Sequence, residues 1–125
     1  MKIRRFIALS VGALVVGGLA GCGAKEVSYA ASVRPVLEKH CVECHKPGGE
    51  GFEKSGQDMT SYSALMKGTK FGATVKANDS FTSALVMLIE GRADPSIKMP
   101  HNREPIPADD IKAIKTWIDQ GAKDN

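Results

Sequence analysis

One pentapeptide, Cys41-Val42-Glu43-Cys44-His45, decides how this chain is expected to fold. Two thiols three residues apart lie on the same side of a helical turn, where each can add across a vinyl group of one porphyrin. The next residue then offers an imidazole to the iron. This C-x-x-C-H spacing is that of covalent haem attachment. It predicts one haem c, bound through Cys41 and Cys44, with His45 as the proximal iron ligand.

Three other interpretations of the same motif remain open at this point. A structural zinc site would need a fourth ligand beyond those of the motif, and His40 or His101 could serve, although the chain has no second C-x-x-C motif. A thioredoxin-like thiol pair would require a βαβ context, for which the sequence gives no pattern. A plain disulfide is possible in an oxidising compartment, but it would leave His45 without a role.

The second axial ligand is expected to be Met99, in the proline-rich segment that contains Lys98-Met99-Pro100. A thioether is the common second ligand in cytochromes c, where it raises the reduction potential. His101 is the alternative, and a histidine there would lower the potential relative to methionine. The other methionines beyond the first residue are expected to pack in the core or fill gaps: Met59, Met66 and Met87.

The N-terminal segment has the pattern of an export signal. Three basic residues precede an apolar run, Phe6–Ala20, which is too short for a comfortable membrane span. The run ends in Leu19-Ala20-Gly21-Cys22, which resembles the lipobox of bacterial lipoproteins. That resemblance implies cleavage before Cys22 and a diacylglycerol on its sulfur, with an ordinary secretory signal as the alternative. Gly23 favours the outer membrane, so we expect a protein anchored on the periplasmic side.

These patterns divide the chain into a signal peptide (1–21), a lipid-anchored tether (22–31), one folded domain (32–122) and a polar tail (123–125). A length of 125 residues, with 42% hydrophobic and 25% charged residues, fits one globular domain and excludes a disordered chain. Aromatic residues make up only 6%, so a bound group would help to fill the core. Three of the 17 basic residues lie in the signal, which leaves 14 against 14 acidic ones. This balance gives no support for nucleic-acid binding.

The domain is expected to be all-α, with three to four short helices joined by long loops. Helices are predicted from Val33 to about Cys44 with Ser32 as cap, from Ser61 to Lys67, from Ser80 or Ser83 to Gly91, and from Ala108 to Gln120. The glycine-rich segment 47–56 and the proline-rich segment 92–107 are predicted as loops. Nine apolar residues are expected to line the pocket: Val36, Leu37, Phe52, Phe71, Leu85, Leu88, Ile114, Trp117 and Ile118.

Several of these elements together resemble small monohaem class I c-type cytochromes, and especially planctomycete-type cytochrome c-like domains. They are Ser32–Leu37 before the C-x-x-C-H motif, Ser83-Ala84-Leu85, Met99-Pro100, and 111–121 with Trp117-Ile118. The resemblance implies an all-α fold wrapped around one covalent haem, with the first and last helices packed across each other. It also implies His45 and Met99 as iron ligands.

The function implied by this resemblance is electron transfer between redox proteins, without a small-molecule substrate. The chain would be an electron carrier, or a cytochrome subunit of an oxidoreductase, held at the membrane by its N-terminal lipid. The alternative function is that of a haem-based sensor or peroxidase-like protein in which the sixth ligand is labile.

Overall fold

The computed structural model describes residues 23–125, so the predicted signal peptide and the predicted lipid site at Cys22 lie outside the described part. A π-helical turn, Tyr29–Val33, leads directly into helix α1 (Arg34–His40). Four further helices follow: α2 (Glu50–Ser55), α3 (Tyr62–Lys67), α4 (Ala84–Ile89) and α5 (Ala108–Asp119), with a 3₁₀ turn at Pro95–Ile97. Within residues 23–125 there is no β-strand, which confirms the all-α class.

Residues 29–40, the π-helical turn and α1, form a pair with α5 in which the chain directions oppose each other. At one end of the pair, the rings of Tyr29 and Trp117 have centroids 5.5 Å apart. At the other end, His40 Nε2 lies 3.5 Å from Asp110 Oδ2. The apolar residues of α5 recur every three to four positions and are buried in the hydrophobic core. These residues are Ile114, Trp117 and Ile118.

Three aromatic rings close one end of this core. Tyr62 packs edge-on against Tyr29, with centroids 5.2 Å apart, and its hydroxyl donates to the carbonyl of Ala122. The indole N–H of Trp117 donates to the carbonyl of Lys123 at 2.8 Å. Buried Tyr and Trp need partners for their polar atoms, and here the chain after α5 supplies them. Ala122 is therefore part of the core, and the exposed Lys123 covers it with a backbone acceptor.

The first helical segment differs from the prediction at both ends. It begins at Tyr29 rather than Val33, because Ser28, not Ser32, caps it by accepting a hydrogen bond from the N–H of Ala31. It ends at His40 rather than near Cys44, since Cys41 leaves helical geometry with φ −125°. Pro35 lies in the first turn of α1, where a missing N–H is tolerated.

Helix α2 was not predicted, because its four neighbouring glycines indicated a loop. Gly49 is extended before the helix, and Gly56 ends it with φ +75°. Between them, Glu50 and Lys54 form an i,i+4 ion pair with 2.6 Å between nitrogen and oxygen. Gly49 and Gly56 are thus helix boundaries, and residues 23–125 contain five α-helices.

The other helices were predicted within one or two residues. Ser61 caps α3 by accepting from the N–H of Ala64, and Gly68 follows it. Ser83 precedes α4, but its hydroxyl accepts from the N–H of Lys76 instead of capping the helix. Helix α5 begins directly after Pro107 without a side-chain cap, as expected. No helix in residues 23–125 has the length and hydropathy needed to cross a bilayer.

Candidate haem-binding site

The C-x-x-C-H motif forms a compact turn after α1. The N–H of Cys41 donates to the carbonyl of Leu37 at 2.8 Å, and the N–H groups of Cys44 and His45 both donate to the carbonyl of Cys41. The carbonyl of Cys44 in turn accepts from Phe52, the third residue of α2. This backbone network fixes the two thiols and the imidazole relative to one another.

The motif borders a cavity of about 580 Å³, measured with its open mouth. Cys41, His45 and Met99 all line it, and most of the remaining wall is apolar. The fold thus brings residues from the beginning and the end of the domain to one concave site.

His45 is held in place by its close approach to α2. A Cβ on Gly51 would lie 2.7 Å from Cε1 and 2.9 Å from both ring nitrogens, so only glycine leaves room for the ring. Burial lowers the pKa of His45 and keeps the imidazole neutral, which is the form that binds metals. The backbone of Gln57 opposes this shift, although Nδ1 makes no full hydrogen bond.

Met99 reaches the cavity from the loop between α4 and α5. Its backbone N–H donates to the carbonyl of Leu88 at 3.1 Å, which fixes the loop to the end of α4. His101, the alternative ligand, is exposed and lines a separate groove beside the loop. Met99 therefore shares the cavity with His45, whereas His101 does not line it.

Met59 was expected only to fill a gap, yet it lines the same cavity and is buried. Its N–H donates to the carbonyl of His45 at 2.8 Å, so it is attached to the backbone of the predicted proximal ligand itself. Met99 comes instead from a separate element. The cavity thus contains two methionines, and they must be distinguished by experiment.

The thiols do not have the character of a reactive redox pair. Burial, with a smaller contribution from Cys44, raises the pKa of the Cys41 thiol to about 12. Thioredoxin-like motifs depend on a lowered thiol pKa. The zinc alternative also lacks its ligand set, since no group of three or more His, Cys, Asp or Glu within residues 23–125 is arranged to hold a metal ion.

The apolar wall differs from the one expected. Of the nine predicted residues only Leu85 and Leu88 line the cavity, together with Ile89 and Ile106, which were not named. Phe71 is 81% exposed, at the tip of a tight turn. The others that are fully buried pack instead in the core of the helices: Val36, Leu37, Ile114, Trp117 and Ile118.

Two polar features of the cavity were also not predicted. Gln57 is 2% exposed, and its Oε1 accepts from the hydroxyl of Thr74 at 2.7 Å. His40 lines the cavity, and its buried Nε2 makes no hydrogen bond. Gln57 and Thr74 are 17 residues apart, and His40 lies at the end of α1, so no local signal could have shown either feature.

An ion pair connects the motif to the loop that carries Met99. Arg103 Nη2 donates to Glu43 Oε2 at 2.6 Å, and this bond lowers the pKa of the Glu43 carboxyl. Both side chains are largely exposed, so solvent screens the pair and it contributes little to stability. It therefore favours the position of the loop without determining it.

The residues present fit a haem. The wall is mainly apolar, and two imidazole nitrogens in it, His45 Nδ1 and His40 Nε2, are buried without hydrogen-bond partners. Gly51 makes the space for the His45 ring. The Cys41 thiol, the His45 imidazole and the Met99 thioether, which share this cavity, are groups that bind haem in c-type cytochromes.

The comparisons with known proteins agree with this chemistry. Residues 41–102 match the family described as Planctomycete cytochrome C. The match begins at the first cysteine of the motif and includes Met99. No curated protein and no solved structure matches the chain significantly. A cytochrome c domain indicates a haem-binding, electron-transfer role, and the chain therefore contains a cytochrome c-like domain of the planctomycete type.

Proposed function

We propose that this protein is a lipid-anchored, extracytoplasmic monohaem c-type cytochrome that carries single electrons between redox proteins. The observation that carries the proposal is the shared cavity. Cys41 and His45 of the attachment motif and Met99 of a distant loop line one mainly apolar cavity.

In this proposal the chain supplies every protein bond to the haem. Cys41 and Cys44 would hold it through two thioethers, and His45 and Met99 would supply the protein ligands of its iron. The bound haem would supply a reversible one-electron change between ferric and ferrous iron. With side chains as both ligands, no coordination site would remain for a substrate, so we propose no enzymatic reaction.

The residues of the cavity would set the reduction potential of the haem. The thioether of Met99 favours a higher potential than a second imidazole would. The apolar side chains of Leu85, Ile89 and Ile106 exclude water, which lowers the local dielectric and disfavours the more highly charged oxidation state. Gly51 allows the His45 ring to keep one orientation.

The protein purified after export should contain one haem per chain. We expect a pyridine haemochrome spectrum with two thioether links, and negligible carbon monoxide binding by the reduced protein, because both axial positions are filled. Fast, tight carbon monoxide binding would instead support the sensor or peroxidase-like function. Exported protein without haem would overturn the proposal.

The lipid anchor rests on the sequence Leu19-Ala20-Gly21-Cys22. We expect Cys22→Ala to move the protein from the membrane fraction to the soluble or uncleaved fraction, because the thioether-linked diacylglycerol cannot form. The measurement is fractionation combined with intact mass. Gly23→Ala serves as the control, since it leaves the cysteine in place. A Cys22→Ala protein that stays in the membrane after signal cleavage would contradict the anchor.

Gly51→Ala should impair haem binding, even though Gly51 lies in helix α2, where alanine is normally the better residue. Alanine is favoured over glycine in helices by about 1 kcal/mol, but here the added Cβ would contact the His45 ring at 2.7–2.9 Å. Overpacking of this kind costs roughly 1–3 kcal/mol, and the displaced ring is the proximal ligand. We expect lower haem content and an altered haem spectrum, measured at equal protein concentration.

Glu53→Ala is the control for this variant, because it also adds an alanine to α2 but at an exposed position. It should leave haem content unchanged. A Gly51→Ala protein with normal haem content and spectrum would show that the ring tolerates the methyl group.

A further inference from the structure

The two ends of the described chain are joined by a network of hydrogen bonds. Gln120 accepts from the N–H of Val27 at 2.7 Å and donates to the carbonyl of Lys25 at 3.2 Å. Asn125 accepts from the N–H of Tyr29 at 2.8 Å through its side chain, and from Ala30 at 2.9 Å through its carbonyl. We call this network the terminal clasp; its remaining members are Glu26, Ser28 and Lys123.

The terminal clasp shortens the segment that can act as a flexible tether. The first residue it holds is Lys25, so Gly23 and Ala24 alone lie between it and Cys22. Three residue steps reach at most about 11 Å when fully extended. A lipid on Cys22 would therefore hold the clasp close to the headgroups of its membrane.

The terminal clasp and the haem cavity lie at opposite ends of the α1–α5 pair. Tyr29 and Trp117 are at the clasp end, whereas His40, at the other end of α1, lines the cavity. His40 lies beside Asp110 in the first turn of α5. Asp110 and the clasp residue Gln120 are ten residues apart along α5, which corresponds to about 15 Å. His40, on the cavity wall, thus lies away from the anchored end.

The charges of the terminal clasp need no anionic lipid. Lys123 and Glu26 form an ion pair with 2.5 Å between nitrogen and oxygen. Asp124 and Lys25 are both exposed and carry opposite charges. Attachment then depends on the acyl chains, which contribute about 0.8 kcal/mol per buried CH₂, rather than on a basic patch.

We propose that the terminal clasp is the membrane-facing surface of the protein and holds the haem cavity on the side away from the bilayer. The surface it meets is the headgroup layer of the membrane that carries its own lipid anchor. The cavity then faces the aqueous phase, so its electron partner is a protein that approaches from that phase and not a lipid-soluble carrier within the bilayer. This inference rests on the proposed function, in particular on the lipid at Cys22.

The test uses the lipidated holoprotein in vesicles of phosphatidylethanolamine and phosphatidylglycerol that contain lipids spin-labelled at the headgroup or in the acyl chain. The oxidised haem is paramagnetic and speeds the relaxation of nearby nitroxides steeply with decreasing distance. We expect weak enhancement at the headgroup and none in the acyl chain. Added salt should leave both unchanged, because the clasp charges are paired.

Two variants allow the domain to move. Gln120→Ala combined with Asn125→Ala breaks the terminal clasp, and ten Gly/Ser residues inserted between Gly23 and Ala24 lengthen the tether by a root-mean-square reach of roughly 17 Å. Both should raise the headgroup relaxation enhancement by about twofold or more, since the haem can then approach the surface. Lys112→Ala, an exposed change on α5 outside the clasp, is the matched control and should match the wild type.

Mass spectrometry and the haem spectrum are recorded first. They separate a failure of the proposed function from a failure of the proposed orientation. Missing lipid or haem means that the proposed function fails. If both are present, strong enhancement in the wild type, or equal enhancement in the wild type and the insertion variant, overturns the orientation proposed here. The insertion variant leaves the folded domain unaltered, so the test does not depend on whether the double variant folds.

Discussion

Met99→Leu is expected to remove the far-red sulfur-to-iron absorption band of the oxidised protein and to lower its reduction potential. Leucine keeps the apolar volume but has no donor atom, so one axial position opens. Axial ligands set haem potentials over a range of about 0.8 V, and loss of a thioether moves the potential downward. The reduced variant should also bind carbon monoxide stoichiometrically. Absorption spectra and a redox titration measure these effects.

Met59→Leu is the matched control, because Met59 is the other methionine that lines the cavity. It should keep the far-red band and bind no carbon monoxide, with at most a small change in stability. If Met59→Leu loses the band and Met99→Leu keeps it, the ligand assignment is reversed. His101→Gln should match the wild type, since His101 lies on the exposed side of the loop.

Sequence patterns predicted the elements that local chemistry determines. The C-x-x-C-H spacing identifies a cofactor site because it is confined to one turn, and the period of Ile114, Trp117 and Ile118 identifies a buried helix face. The stop signals at Gly68, Gly91 and Gly121 also act locally. Helix α2 was missed because glycine serves both as a loop former and as a helix boundary, and only the backbone angles distinguish the two.

The parts that could not be predicted depend on contacts between distant residues. Gln57 meets Thr74, and Glu43 meets Arg103, across separations that no periodicity encodes. Phe71 was predicted to line the pocket because its side chain is apolar, but a tight turn places it in solvent. The same turn begins at Thr69, whose side chain lines the cavity. Tertiary contacts rather than residue type therefore decide which side chains form the wall.

Cys44→Ser is expected to leave a haem attached through one thioether, and most of the exported protein should lack haem. A serine hydroxyl does not add to a vinyl group under these conditions, so the link at this position cannot form. The pyridine haemochrome maximum should move to longer wavelength, as one vinyl group stays conjugated with the ring. Loss of one covalent link should also destabilise the holoprotein by roughly 2 kcal/mol or more, by analogy with loss of a disulfide from a small exported domain.

Cys41→Ser provides the comparison that tests the roles of both thiols. Each cysteine supplies one of two equivalent links to the same porphyrin, so both single variants should show the one-thioether spectrum, and Cys41→Ser combined with Cys44→Ser should retain no covalent haem. Cys41 lines the cavity and packs against the core, so its variant should lose more stability than that of Cys44. Denaturing gels stained for haem measure the covalent link directly. A double variant with covalently bound haem would contradict the assignment of these two thiols.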